Sequence, residues 1–200
     1  MLTVRPPDPA RLDRFVAAES AREATSPVGL MATAVLPGRW FVDDEAAIVG
    51  VGPAAWAAAR AALEAWEELD LGWFRVHRPD HVPLRTGQVV GCSVRALGLW
   101  WTYCCRIVSV IDETDPDGTR RFGFTYGTIG SHAERGEERF LVILDAATGE
   151  VNGAIRAISR PARWFTLLGL AFARRAQRQF KPEALAALAG AVRHRLAVSP

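Results

Sequence analysis

The chain carries its densest group of titratable side chains at positions 132–139. The group consists of His132, Glu134, Arg135, Glu137, Glu138 and Arg139. A histidine beside carboxylates can form an acid–base pair or part of a metal site, whereas carboxylates beside arginines can form a structural network of ion pairs. We prefer the structural network, because a transition metal needs three or four ligands and only His132 is a strong donor. No metal or cofactor is expected.

The two adjacent glutamates of this group are expected to differ in environment. Side chains alternate along an extended chain, so Glu137 and Glu138 would point to opposite faces of a strand. Arg139 would share the face of Glu137, and Phe140 would share that of Glu138. One carboxylate would then face the protein interior and the other would face solvent.

An aromatic segment at residues 99–111 precedes this group. Alternation places Trp101 and Tyr103 on one face and Arg106 on the other. Because burying an arginine alone is prohibitive, Arg106 must be exposed, paired or bound to an anionic ligand. An arginine that grips an anion in a cavity is the sharper hypothesis. A structural partner, such as one of the two glutamates, is the interpretation we prefer.

A second aromatic run at residues 122–128 places Phe122, Phe124 and Tyr126 on one face. These rings would line an apolar pocket with Tyr126 as its polar handle, or they would form ordinary core. The catalytic residues are unknown from the sequence. The candidate ligand-binding residues are Trp101, Tyr103, Arg106, Phe124, Tyr126, His132, Glu137, Glu138 and Arg139.

Periodicity predicts the elements that would position these side chains. An alanine-rich amphipathic helix of about four to five turns follows Pro53 and ends near Gly72. Short connections between successive strands predict an antiparallel sheet. The strand-like runs are 41–51, 73–77, 88–97, 99–111, 121–129, 139–144 and 151–159.

The two ends of the chain differ in character, although one domain is expected to span residues 1–200. Residues 1–14 are rich in Pro, Arg and Asp and are expected to form a loose N-terminal arm. Ser159 is a candidate cap for a long C-terminal helix, which Pro182 would interrupt or kink. The predicted buried face of this helix consists of Trp164, Leu167, Leu168 and Phe172.

This order of elements resembles the helix-grip fold of the START-like (SRPBCC) superfamily. That resemblance implies an α+β fold in which a curved antiparallel sheet of about six to seven strands wraps a long C-terminal helix around an apolar cavity. The sequence is also similar to a narrower family, domain of unknown function nineteen-ninety, which implies no activity and no catalytic residues. The segments that carry this likeness are 97–101, 105–108, 122–128, 136–140, 159–161 and 177–180, with His132.

Composition narrows the functional class further. The apolar run 164–173 is shorter than the ~20 residues that span a bilayer, and residues 1–9 do not read as a signal peptide, so a cytoplasmic protein is expected. Cys92, Cys104 and Cys105 predict buried thiols rather than disulfides. Residues 156–200 are strongly basic; they could meet an acidic partner, but pairing with the acidic remainder of the chain is the preferred interpretation.

Three hypotheses about function follow. The leading one is a module that binds a small apolar or amphipathic ligand between sheet and C-terminal helix. The second is an enzyme of cyclase, isomerase or hydrolase type with acid–base groups in the same cavity. The third is an interaction module that uses the basic C-terminal helix, although no nucleic-acid motif is present and no nucleic-acid partner is expected. The sequence leaves the ligand, any enzymatic activity and the oligomeric state open.

Overall fold

A computed structural model describes residues 1–33, 36, 38–78, 82–130, 132–162 and 170–198. In the last range the side chains are described from residue 179 onward. The buried helix face that the sequence predicts from Trp164 to Phe172 lies outside the described side chains. Within the described chain, no helix is long and apolar enough to cross a membrane.

The described chain forms one curved antiparallel sheet and three α-helices. The sheet order is β2-β8-β7-β6-β5-β4-β3, and β1 pairs with one end of β5. This arrangement confirms the predicted α+β fold, in which the sheet wraps the C-terminal helix. The elements are β1 (Leu2–Thr3), α1 (Pro9–Ser20), β2 (Phe41–Val51), α2 (Gly52–Glu64), β3 (Phe74–His77), β4 (Val89–Ala96), β5 (Leu99–Thr114), β6 (Arg120–Thr128), β7 (Glu134–Leu144), β8 (Glu150–Pro161) and α3 (Leu170–Val198).

Helices α2 and α3 fill one part of the concave face of the sheet. Phe124 of β6 stacks on Phe140 of β7, with ring centroids 5.2 Å apart, and Trp66 lies 4.4 Å from Phe124. Gly153 of β8 lets α3 approach closely, because a Cβ atom there would lie 3.0 Å from methyl groups of both Leu185 and Leu188. This region is therefore solid core.

Helix α2 is shorter than the periodicity predicts. It ends at Glu64, and a separate 3₁₀ turn follows at Glu67–Leu69. At Trp66 the backbone turns out of the helix. Its φ of 61° lies in the left-handed region, which an α-helix does not use. The reversal buries the Trp66 ring against Phe124, and that packing offsets the cost of the unfavourable backbone angle.

The N-terminal segment is ordered rather than a loose arm. Leu2 and Thr3 pair with Trp101 and Trp100 at the part of β5 that β6 does not reach. Helix α1 begins at Pro9, and the Asp8 side chain caps it by accepting the N–H of Arg11 at 2.9 Å. Composition alone predicted a loose arm because it does not show this open strand edge.

One expectation for the C-terminal part of the chain is wrong, and the long C-terminal helix is confirmed. Ser159 does not cap a helix, since it belongs to β8 and pairs with Phe41 and Gly136. Helix α3 runs from Leu170 to Val198 with Pro182 inside it, although proline lacks the N–H that the helix would use there.

Basic residues of α3 pair with acidic residues of the body, as preferred from the sequence. Arg195 bonds the Glu67 carboxylate through two nitrogens, at 2.6 and 3.1 Å. Lys181 pairs with Asp43 at 2.6 Å. These contacts neutralise part of the basic character of the C-terminal segment.

Candidate functional site

A cavity of about 140 Å³ lies between the concave face of the sheet and α3. Its size suits a ligand of about one six-membered ring, since an apolar cavity of ~150 Å³ can hold benzene. Its aromatic wall consists of Trp73, Phe74, Tyr103, Tyr126 and Phe180. The polar and charged residues that border it include Thr128, His132, Glu134, Arg135, Glu137, Glu138, Ser159 and Lys181.

Strand pairing brings the main polar group of the cavity together. Tyr126 of β6 lies directly opposite Glu138 of β7 in the antiparallel register, and both side chains share the concave face. The Tyr126 hydroxyl donates to Oε2 of Glu138 at 2.7 Å. Among the described residues, none donates a hydrogen bond to the other oxygen, Oε1, of Glu138.

The cavity changes the acidity of these two groups. Burial raises the pKa of Glu138 to about 7, while the Tyr126 hydrogen bond and the charge of Lys181 oppose that rise. Burial also raises the pKa of Tyr126 well above its usual value. Glu138 is therefore a carboxyl group that gains and loses its proton near neutral pH, beside a tyrosine that stays neutral.

Lys181 of α3 lines the cavity, and a neighbouring carboxylate neutralises its charge. The side chain is buried, with its Nζ atom 2.6 Å from an Asp43 carboxylate oxygen and 3.1 Å from the Asp43 backbone oxygen. Asp43 lies on β2, across the sheet edge from α3. This pair satisfies a buried cation that would otherwise be costly.

His132 lies at the loop end of the cavity wall, immediately before β7. Its ring meets Tyr103 edge-on, with centroids 4.2 Å apart. Its Nδ1 atom accepts the backbone N–H of Glu134 at 2.9 Å. Burial lowers the pKa of His132 to about 4, so the imidazole is neutral at neutral pH.

Five of the candidate residues predicted from the sequence border this cavity: Tyr103, Tyr126, His132, Glu137 and Glu138. Phe124 lies beside them in the solid core and is fully buried. Trp101 lies outside the wall and is 48 % exposed, at the end of β5 that pairs with Leu2.

Arg106 and Arg139 lie away from the cavity. Arg106 donates to the backbone oxygens of Ser20 and Arg22 at 2.8 and 2.9 Å, which corrects both the anion-binding hypothesis and the preferred glutamate partner. Backbone carbonyls at and just after the end of α1 accept the hydrogen bonds of the Arg106 guanidinium instead. Arg139 donates to the Thr125 hydroxyl at 3.0 Å. Neither guanidinium can contact a ligand held between the sheet and α3.

Glu137 also points away from the interior of the sheet, as alternation predicts, but it does not face solvent. Its two carboxylate oxygens accept the backbone N–H groups of Gly29 and Met31 at 2.5 and 3.0 Å. The 29–31 turn covers it, and only 4 % of the residue is exposed. Glu137 is therefore an anchor for the N-terminal segment.

Several wall residues were missed in the sequence analysis because they come from distant elements. Trp73 and Phe74 lie at the start of β3, and Phe180 and Lys181 lie on α3. The Trp73 indole donates to the Glu183 carboxylate at 2.6 Å, which ties β3 to α3. The available signal was a lysine next to Phe180, one helical turn before the apolar residues Ala184 and Leu185.

Comparison with known proteins places the chain in a family. The family model described as Domain of unknown function (DUF1990) matches residues 24–187. The chain belongs to this family. A UPF0548 protein of Deinococcus radiodurans is 34 % identical over 190 residues, which cover 90 % of this chain and 92 % of the relative. A UPF0548 protein of Dictyostelium discoideum is 32 % identical over 145 residues, or 70 % of this chain and 67 % of that one.

Among solved structures, this DUF1990 member is similar to the protein TTHA0849 of Thermus thermophilus. The TM-score is 0.49 at 12 % identity, and the match covers 81 % of this chain and all of that chain.

Proposed function

We propose that this protein binds a small amphipathic ligand, about one ring in size, in the cavity between the sheet and α3. The observation that carries the proposal is the cavity itself. Next to a solid core of stacked phenylalanines, the same concave face leaves about 140 Å³ unfilled. Concave pockets that open to the surface and carry an apolar, aromatic lining are where small molecules usually bind.

The wall supports an amphipathic rather than a purely apolar ligand. Five aromatic side chains supply apolar surface, while Glu138, His132 and Lys181 supply polar atoms on different sides. A few polar groups placed on an aromatic wall are typical of small-molecule sites, where they fix the orientation of the ligand.

The test uses benzyl alcohol and indole as neutral one-ring probes, with binding followed by NMR titration. Saturable shifts at residues of the cavity wall are expected. Ala157→Leu introduces a larger side chain at a wall position of β8 and should weaken binding by about tenfold or more. Ala154→Leu, on the opposite face of the same strand, is the control and should leave binding unchanged. The absence of saturable binding by either probe would refute the proposal.

Acid–base catalysis in the same cavity is a second candidate. It is favoured by a carboxyl group whose pKa is raised to about 7 by burial, a value near the operating pH of a general base. In such a reaction Glu138 would take a proton from a carbon or oxygen of the ligand and return it at another position or to water.

Hydrogen–deuterium exchange at the α-carbon of cyclohexanone in heavy water tests this second candidate. Ionised Glu138 would remove the α-proton, and a deuteron from solvent would replace it. The wild-type protein should accelerate exchange and Glu138→Gln should not. Equal exchange rates for the two proteins would exclude Glu138 as a base for this class of carbon acid.

A further inference from the structure

Two charged side chains of the cavity, Lys181 and Glu138, differ in whether a described residue of opposite charge pairs with them. Lys181, the buried cation, is paired with the Asp43 carboxylate at 2.6 Å. Among the described residues, Glu138 accepts a side-chain hydrogen bond only from the neutral hydroxyl of Tyr126, and none forms an ion pair with it. Glu138 is half-buried, and partial removal from water is unfavourable for a carboxylate without a cationic partner, which is why burial raises its pKa.

The aromatic wall adds a second observation that points in the same direction. Trp73, Phe74, Tyr103, Tyr126 and Phe180 surround the same space. Aromatic rings attract cations through the negative charge of their faces, and a cation held next to rings and a carboxylate gains from both. An anion would be repelled, because the ring faces and the Glu138 carboxylate also carry negative charge.

We infer that the ligand of this cavity is a small ring-bearing amine, bound as an ammonium ion whose N–H groups donate to the Glu138 carboxylate. This inference rests on the proposed ligand-binding function and specifies the class of ligand. The ammonium supplies a positive charge that no described residue places in an ion pair with Glu138. The ring occupies the aromatic part of the cavity, which holds one ring and little more.

Binding of an ammonium ion would be coupled to the ionisation of Glu138. The cation requires the ionised carboxylate, so protons compete with the ligand as the pH falls. Other groups of the described chain also act on Glu138. They are Tyr126 on β6, Tyr103 and Cys105 on β5, Glu134 at the start of β7, Asp43 on β2 and Lys181 on α3. His132, just before β7, and Arg135 on β7 also border the cavity. His132 is neutral at neutral pH, whereas the pKa of Glu138 is about 7, so Glu138 is the group expected to titrate.

Three probes that share one ring and differ in charge test the inference: benzylamine, benzyl alcohol and benzoate. At about pH 8, benzylamine should bind about tenfold more tightly than benzyl alcohol, and benzoate should bind least. At about pH 6 the benzylamine affinity should fall by about tenfold, because the pKa of Glu138 is about 7 and most of the carboxyl groups are then protonated. The affinity for benzyl alcohol should change little.

Two variants assign the effect to Glu138. Glu138→Gln keeps the shape of the side chain and removes its charge, so it should abolish both the preference for benzylamine and its pH dependence while retaining benzyl alcohol. Glu113→Gln removes an exposed charge at the far end of β5 and should bind as the wild type does. A wild-type protein that binds benzyl alcohol or benzoate as tightly as benzylamine would overturn the amine inference and leave the binding function intact. Failure of every probe to bind would overturn both.

Discussion

Glu137 and Glu138 are neighbours in the sequence but occupy two different regions of the molecule. Glu137 lies on the outer face of β7 beneath the 29–31 turn, and both of its oxygens accept backbone N–H groups. Glu138 lies on the inner face and accepts one tyrosine hydroxyl at the cavity. The difference separates a structural carboxylate from a candidate binding group. Both oxygens of Glu137 accept hydrogen bonds from the backbone, whereas Glu138 can still accept a hydrogen bond from a ligand.

A third carboxyl group extends this comparison. Glu68, in the 3₁₀ turn after α2, is 1 % exposed, and neither of its oxygens has a hydrogen-bond partner among the described residues. Burial raises its pKa well above the usual value. The three groups thus have two, one and no hydrogen-bond donors, and the consequences of replacing them should follow that order.

Replacing Glu137 should produce the largest effect. Glu137→Ala leaves the partly buried N–H groups of Gly29 and Met31 without their acceptor and should lower the free energy of unfolding by about 3–5 kcal/mol. Urea denaturation measures the loss. Faster amide hydrogen exchange at Gly29 and Met31 would show that the turn has been released. Glu137→Gln, which keeps one acceptor oxygen, should lose less. A loss below about 1 kcal/mol in the alanine variant would contradict the anchoring role.

Replacing Glu138 should change the pH dependence of stability rather than the fold. Its pKa in the folded protein is about 7, above the usual 4.5, so the folded state holds a proton that the unfolded state has lost between those values. Wild-type stability should therefore decline as pH rises from about 4.5 to 7, by up to about 3 kcal/mol, with solvent at the cavity mouth reducing the figure.

Glu138→Gln should lack this contribution and be the more stable protein at about pH 8. Urea denaturation of both proteins at a series of pH values isolates the contribution, because all other titrating groups are common to the pair. Parallel stability curves for the two proteins would show that Glu138 titrates at its ordinary pKa and is not desolvated.

Replacing Glu68 should produce the smallest change, in the stabilising direction. Glu68→Leu removes a buried carboxyl group without partners in the described chain and should raise the free energy of unfolding by about 1–2 kcal/mol at neutral pH. The neighbouring Glu67 is the control, because it is bound by Arg195, and Glu67→Leu should be neutral or slightly destabilising. Thermal unfolding compares the two variants. A less stable Glu68→Leu protein would indicate that Glu68 has a partner after all.

Much of the sheet could be predicted from local patterns. Strand β2 has the predicted bounds, and the alternation in β5 and β7 correctly separated Tyr103 from Arg106 and Glu138 from Glu137. These predictions held because side-chain alternation is a property of the extended backbone itself. The end of α2 was missed because burial of Trp66 overrides the local preference for a helix.

Other parts of the candidate site could not be predicted from local patterns. Arg106 was expected to pair with a glutamate and is satisfied instead by carbonyls after α1, a segment remote in sequence. Lys181 joined the cavity wall without having been a candidate, because its position depends on how α3 crosses the sheet. Contacts of this kind join residues more than 80 positions apart, and no local pattern encodes them.

The amino-acid sequence by itself determined strands β2 to β8, the faces of their side chains and the family to which the chain belongs. These depend on backbone geometry and on the order of residues along the chain. Only the tertiary structure decided which carboxylate became an anchor and which became part of a cavity. That choice depends on what covers each face of β7: the 29–31 turn on one side, and on the other a helix that leaves one ring's volume unfilled.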